Sequence, residues 1–255
     1  FNNVGLSFDL SHRQALTFGQ SALTIDRIAL KGDESAVANG LIYKVYLHPG
    51  LTTTEAGLSL SLNQLTTARS VISPIQFGLS LHDLKTLQLQ HLMSSVSNKS
   101  LVNTPELALL TAIPGAISLL SAGGRIDLDR LVLGGQSGPL KAHGALNFAI
   151  MPSSASLEKI FKEMKGDFSL SLPRAMLKRY VGSYYSETSD PVAQAGKNDE
   201  QAASEMANKH IDAWIESDVF HVEGDYLSLH LACKSGQVLL NGRVVYDVSA
   251  PSPKR

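Results

Sequence analysis

The stretch Gly57-Leu-Ser-Leu-Ser-Leu-Asn63 decides the fold class, because apolar and polar residues alternate along it. Its three leucines share one face of an extended chain, and its serines and asparagine share the other face. This period of two is typical of an antiparallel strand that is buried on one side. Residues 75–81 repeat the alternation, and residues 6–10, 23–30 and 41–47 follow it less strictly. We therefore predict a meander of strands in this region.

From residue 100 onward, helical and strand patterns are mixed. Residues 105–113 are good helix formers, apolar on most sides, and predict a buried helix with a kink near Pro114. Further helices are predicted over 156–165, 174–185 and 203–215. Near the end of the chain, Lys234-Ser-Gly-Gln237 is predicted to reverse the chain between two strands, and Asn241-Gly242 favours a second turn or a bulge.

These patterns predict an α+β fold with one large, antiparallel, twisted β-sheet of meanders and hairpins, and with several helices packed on one face. We divide the chain into a strand-rich region (1–98), a mixed α+β region (99–250) and a tail (251–255). The mixed region is expected to continue the sheet of the first region, so that both form one structure.

Composition limits the classes of function. The 255 residues are 44% hydrophobic, which is enough for a sizeable core. The formal net charge of −1 does not attract the protein as a whole to nucleic acid. We expect no nucleic-acid partner. The single cysteine, Cys233, excludes an internal disulfide, which fits a reducing compartment and equally a periplasmic protein that avoids thiols.

The order of elements after residue 100 resembles the C-terminal half of the YdgA-like family of bacterial envelope proteins, a domain of unknown function. The motifs are a Gly-Gly-x-Ile-x-Leu strand at 123–128, Phe-Ser-Leu-Ser-Leu-Pro at 168–173 and Gly-Gln-Val-Leu-Leu-Asn-Gly at 236–242. The segment 58–92, which includes "LHDLKTLQLQHL", is similar to the family's repeated strands. The resemblance implies a periplasmic protein held at the inner membrane by an N-terminal anchor, which this sequence does not contain. It implies no catalytic residues.

The residues themselves offer few candidates for chemistry. Gly135-Gln-Ser-Gly-Pro139 lacks the strand–elbow–helix context of a serine hydrolase. Asp127 and Asp129 share a strand face, as an acid–base pair would, but also fit the wet side of a sheet. His221 and His230 lie on neighbouring predicted strands and could approach each other, although a metal site needs three or four ligands. We expect no enzyme activity, no cofactor and no metal.

Two functional hypotheses follow. The first is a non-enzymatic envelope protein that binds an unknown protein partner or itself, with membrane attachment only through the anchor. A candidate interaction face for this role is basic: Lys159, Lys162, Lys178 and Arg179. The second is the binding or transport of a lipid or another hydrophobic ligand. Its candidate groove wall is the apolar face of the predicted helix: Leu107, Leu110, Ile113, Ile117 and Leu120. An uncharacterised enzyme remains a third alternative.

Overall fold

The computed structural model describes residues 2–13, 16–30, 35–68, 70–96, 115–152, 155–188 and 199–248. The strands of this part of the chain are β1 Asn2–Arg13, β2 Leu16–Leu30, β3 Ala36–Pro49, β4 Thr53–Thr67, β5 Val71–Ile72, β6 Ile75–Lys85, β7 Arg125–Leu133, β8 Leu140–Asn147, β9 Lys165–Pro173, β10 His221–Glu223, β11 Tyr226–Lys234, β12 Gln237–Leu240 and β13 Arg243–Asp247. The helices are α1 Thr86–Val96, α2 115–121, α3 Leu157–Glu163, α4 Arg174–Thr188 and α5 Asp199–Glu216.

The described strands form one sheet in which every pairing is antiparallel. Strand order follows the chain from β1 to β9 and then continues through β11, β12 and β13, with β5 and β10 as short additions at β4 and β11. Because β6 pairs with β7, the strand-rich and mixed regions share this sheet. The predicted antiparallel sheet is confirmed.

Register places the leucines of many strands side by side on one face. A single row of directly paired residues crosses nine strands: Leu6, Leu23, Tyr43, Leu60, Phe77, Leu131, Ala142, Leu170 and Leu229. Since neighbouring strands lie about 4.8 Å apart, this row extends roughly 38 Å across the sheet. On the opposite face, a parallel row carries polar side chains, for example Ser61, Gln76 and Lys141.

A bulge in β6 keeps Leu84 on the apolar face of the sheet, whereas strict alternation of side chains would turn it to the polar face. Thr54 pairs with Leu84 and Ala56 with Leu81, so that two residues of β6 stand opposite Glu55. One of them, Asp83, has a φ of 58°, a left-handed conformation that aspartate tolerates better than most residues. The extra residue returns Leu84 to the apolar face, where its side chain is 1% exposed.

Helices cover this apolar face in two separate places. Leu84 packs with Leu16, Phe18, Leu89 and Leu119, which joins α1 and α2 to the end of the sheet where β6 stops. A second cluster joins strands β9 and β11 to α4 and α5, with its most buried members Leu227 and Ile211 at 0% and 1% exposed. This cluster lies toward the opposite end of the strands, because α4 follows the far end of β9.

The prediction that helices pack on one face is therefore correct only in part. Between the two helical patches the apolar face stays partly open: Leu58, Leu60, Phe77, Leu79 and Leu131 all keep intermediate exposure. None of the helices in the described ranges is long and apolar enough to cross a membrane.

Residues 86–96 form a helix, whereas the resemblance to repeated strands predicted an extended chain as far as residue 92. Its Leu-Gln-Leu-Gln alternation suits a strand, but β6 pairs with β4 only as far as the register of Thr53 with Lys85. Beyond that point the sheet offers no further partner on β4, and a helix satisfies the backbone internally. As a helix, the segment buries Leu89 and leaves Leu87 70% exposed.

The predicted reversals near the end of the chain are confirmed. Ser235 and Gly236 have φ values of 52° and 77°, and Asn241 and Gly242 have values of 50° and 84°. Two successive left-handed residues match the tight turns that join antiparallel strands. β11, β12 and β13 accordingly pair in sequence.

Candidate functional site

A groove of about 620 Å³ lies between α1 and the apolar face of the sheet. Its floor comes from four neighbouring strands and includes Val45 of β3, Leu58 of β4, and Leu79 and Leu81 of β6. Its wall on the helical side is formed by Leu89 and Met93, which are four residues apart and therefore share one side of α1. The volume falls within the roughly 300–1,000 Å³ of small-molecule sites.

The groove lining is electrically neutral. Among the described residues that line it, none carries a formal charge. Thr17, Tyr46 and Ser94 carry hydroxyl groups, and the rest of the lining is largely apolar. Such a surface cannot compensate the desolvation of an ionic ligand, but it favours contact with aliphatic groups. The arrangement is suited to an uncharged, apolar chain.

Hydrogen bonds fix the start of α1 above the strands. The hydroxyl oxygens of Thr54 and Thr86 lie 2.9 Å apart, and the backbone N–H of Thr86 donates to the carbonyl oxygen of Thr52 at 3.4 Å. Thr54 is 0% exposed, so this contact is shielded from water. The helix therefore holds Leu89 and Met93 at a defined distance from the sheet.

No described residue of the predicted groove wall lines the observed groove. Leu107, Leu110 and Ile113 lie outside the described residues. Ile117 and Leu120 belong to α2 and are half-buried, but neither lines the groove. Their helix contributes Leu119 to the core cluster beside it.

Sequence reasoning missed the helical wall of the groove. The available signal was the spacing of Leu89, Leu92 and Met93, which matches three and four residues per helical turn. Leu92 packs against the core cluster, and the other two line the groove.

The opposite, polar face of the same strands holds a group of ionisable residues. His82 lies between two carboxylates, with its Nδ1 3.4 Å from Glu55 Oε1 and its Nε2 3.2 Å from Asp127 Oδ2. Arg125 Nε donates to Asp127 Oδ1 at 2.7 Å, and this hydrogen bond, with the carboxylate charge, raises the pKa of Arg125. Asp127 is thus engaged by two basic side chains.

Asp129, the second predicted acid, is held separately. The Ser80 hydroxyl, 3% exposed as a residue, lies 2.7 Å and 2.6 Å from the two carboxylate oxygens of Asp129. Asp127 and Asp129 therefore belong to different contacts and do not face one another as an acid–base pair. This agrees with the wet side of a sheet, which was the alternative interpretation.

The two histidines considered as metal ligands have separate partners. His221 Nδ1 is 3.3 Å from Asp218 Oδ1, and His230 Nε2 is 2.8 Å from Asp167 Oδ2. Across the described ranges, no group of three or more His, Cys, Asp or Glu side chains is arranged to hold a metal ion.

The predicted basic interaction face is divided into two pairs of residues. Lys159 and Lys162 belong to α3, which precedes β9, whereas Lys178 and Arg179 belong to α4, which follows it. The nine residues of β9 separate these ends by roughly 27–30 Å. Lys162 also pairs with Glu158 at 2.8 Å, which lowers the pKa of that exposed carboxyl. The four cations do not make one contiguous patch.

The fold and the groove define a class of protein: an open antiparallel β-sheet protein with a neutral groove on its apolar face. The chain belongs to the family described as a bacterial protein of unknown function (DUF945), whose model matches residues 1–246. No curated protein and no solved structure matches the chain.

Proposed function

We propose that this protein binds a hydrophobic ligand, specifically the aliphatic chain of an acylated molecule, in the groove between α1 and the sheet. The observation that carries this proposal is the neutral, mostly apolar lining of a 620 Å³ groove, on a sheet face that the described helices cover only in part. A closed core would not leave such a volume, because protein interiors pack with few voids larger than a water molecule.

The open apolar face supports a chain as the ligand, rather than a compact molecule. From the groove, partly exposed leucines and a phenylalanine continue across β4, β6 and β7, as Leu60, Phe77 and Leu131 show. A long chain can lie along such a strip and gain about 0.8 kcal/mol for each buried methylene group. A charged head group would remain in water, since the groove provides no ionic partner.

We further propose a non-catalytic role at the periplasmic face of the bacterial inner membrane. The resemblance of the C-terminal elements to the YdgA-like envelope proteins supports this location, and the single cysteine is compatible with it. The polar cluster on the opposite face is compatible with a structural role, because its acidic and basic groups pair with one another on the polar side of the sheet.

Native mass spectrometry with palmitate and decanoate tests the binding proposal. We expect a one-to-one palmitate adduct, with weaker binding of decanoate. Each buried methylene should change the affinity about fourfold, as follows from about 0.8 kcal/mol per group. Equal, negligible binding of both acids, together with no acyl species in an organic extract of the purified protein, would contradict the proposal.

Two substitutions on α1 provide a matched comparison. Met93→Glu places a charge at a groove-lining side chain that is 50% exposed and should weaken palmitate binding at least tenfold. Leu87→Glu introduces the same charge on the same helix, at a 70% exposed side chain outside the groove, and should leave binding unchanged. Equal effects of the two changes would argue against the groove as the site.

A second proposed function is association with a protein partner or with another copy of this chain through a sheet edge. The observation that favours it is β1, a strand of 12 residues whose outer edge pairs with no described strand. Unpaired backbone N–H and C=O groups along such an edge are a template for another strand.

A further inference from the structure

We propose that a depression on the polar face of the sheet binds monohydrogen phosphate. In this site Arg130, Lys141 and His143 donate hydrogen bonds to the phosphate oxygens. Asp129 accepts the hydrogen bond of the phosphate proton. The depression lies on the face opposite the groove beside α1, so this site is separate from the proposed acyl-chain site and does not rest on it.

The depression measures about 360 Å³ and is lined by residues of β6, β7 and β8. This volume lies within the roughly 300–1,000 Å³ of small-molecule sites. Its polar side chains project from neighbouring strands of one sheet: Gln76 from β6, Asp129 and Arg130 from β7, and Lys141 and His143 from β8. Regular strands hold such groups more precisely than loops do.

A bulge in β7 brings an additional side chain to this face. Two residues of β7, Asp129 and Arg130, stand opposite the single residue His143 of β8. The Ser80 hydroxyl donates to Asp129 at 2.7 Å. Arg130 Nη1 donates to Gln76 Oε1 at 3.0 Å, so both bulge residues reach the polar side. A regular strand would turn one of them to the apolar face, and bulges are enriched beside functional sites because they redirect side chains in this way.

Arg130 and Lys141 supply positive charge to the depression, and neither forms an ion pair with another described residue. By contrast, Arg125 at the start of β7 pairs with Asp127. Lys141 stands opposite Val132, two residues beyond Arg130, so the two cations occupy diagonal positions at which long side chains can meet. An anion bound between them would offset their mutual repulsion.

The donors of the depression match the oxygens of phosphate. A guanidinium group presents its N–H groups as a fixed fork that fits phosphate, and an ammonium group adds a compact positive charge with rotatable donors. The hydrogen bond from Arg130 to Gln76 uses one of these N–H groups and leaves others for a ligand. His143 contributes an imidazole N–H beside them.

The Asp129 carboxylate decides which anion the site accepts. The hydroxyl of Ser80, a residue that is 3% exposed, lies 2.7 Å and 2.6 Å from its two oxygens and fixes their position. Each carboxylate oxygen can accept a further hydrogen bond. Monohydrogen phosphate offers a P–OH group to this acceptor, whereas sulfate has no proton and would oppose a second anionic oxygen. A phosphate monoester also lacks the proton at mildly alkaline pH, since its second pKa is about 6.

Isothermal titration calorimetry of the full chain at mildly alkaline pH tests the site with three probes: inorganic phosphate, sulfate and glycerol phosphate. The buffer contains about 0.1 M sodium chloride, which screens interactions beyond about 10 Å. Phosphate should bind at least about tenfold more tightly than the other two, because only inorganic phosphate donates a hydrogen bond to Asp129. The comparison with glycerol phosphate also distinguishes free phosphate from an esterified phosphate group.

Charge-removing substitutions test the donors. Lys141→Gln and Arg130→Gln should each weaken phosphate binding at least about tenfold, because each removes a charge-assisted hydrogen bond. Lys44→Gln is the matched control: Lys44 is also exposed and lies in the same row of paired residues as Arg130, but three strands away, or about 14 Å. This control should leave phosphate binding unchanged. Circular dichroism should be the same for all three variants, because the substituted residues are exposed.

Asp129→Asn tests the acceptor. Asparagine keeps an oxygen that can accept from Ser80, but it removes the negative charge and adds N–H donors. This variant should therefore bind sulfate at least as tightly as phosphate, which is the reverse of the preference expected for the unchanged protein.

Three results would overturn the proposal. The first is no binding at about 10 mM phosphate, a concentration that would saturate a site with a dissociation constant of about 1 mM. The second is binding of sulfate or glycerol phosphate to the unchanged protein as tightly as phosphate. The third is an equal effect of Lys141→Gln and Lys44→Gln. Lys141→Gln should bind palmitate as the unchanged protein does, because the groove lies on the opposite face, so a failure of the phosphate site is distinguishable from a failure of the groove.

Discussion

Replacement of Leu84 by alanine tests whether the bulge at Asp83 places the Leu84 side chain in the core beneath α1. Leu84 is 1% exposed and contacts residues from β2, α1 and α2, including Phe18, Leu89 and Leu119. Because three separate elements support these neighbours, the cavity left by the substitution cannot close easily. We expect Leu84→Ala to lower the free energy of unfolding by about 3–5 kcal/mol, in the upper part of the range for buried leucines.

Thermal unfolding followed by circular dichroism measures this effect. At about 2–4 °C per kcal/mol for a chain of this size, the melting temperature should fall by about 6–20 °C. Leu51→Ala, at a fully exposed side chain, serves as the control and should change stability by less than about 0.5 kcal/mol. If Leu84→Ala lowered the melting temperature as little as Leu51→Ala, the assignment of a bulge at Asp83 would be refuted. Strict alternation would then place Leu84 on the polar face with His82.

Further predictions concern two glycines and the thiol. Gly182→Ala in α4 should raise the free energy of unfolding by about 0.5–1 kcal/mol, because the added Cβ meets no atom within 4 Å. Gly134→Ala should lower it by about 1–3 kcal/mol, since its Cβ would lie 1.8 Å from the Ser73 carbonyl oxygen; urea titration measures both. Burial raises the pKa of the Cys233 thiol, so that less thiolate forms at mildly alkaline pH. Dithionitrobenzoate should therefore react more slowly with the folded protein than with the urea-unfolded chain, and equal rates would contradict the reasoning.

Much of the sheet could be predicted from local patterns. The alternation in residues 57–63 identified the core of β4, and the Ser-Gly and Asn-Gly pairs identified the turns on both sides of β12. These features are local, because a strand's buried face and a tight turn's backbone conformation each depend on a few consecutive residues.

The groove could not be predicted in the same way. The leucines at 87 and 89 suggest a strand, yet they lie on α1, where one is exposed and the other buried. The strand stops before them because β4 begins opposite the last residue of β6. The basic residues at 159 and 178 belong to one basic stretch of the sequence, but β9 separates their helices in the fold. Such relations depend on which segments are neighbours in space.

The amino-acid sequence by itself determined the sheet, its apolar and polar faces and its final hairpins, since these follow from side-chain periodicity and turn chemistry. Only the tertiary structure decided which parts of the apolar face are covered. Burial there depends on where α1, α2, α4 and α5 pack, and that is a long-range property of the folded chain. The groove beside α1 is a surface that this packing leaves open.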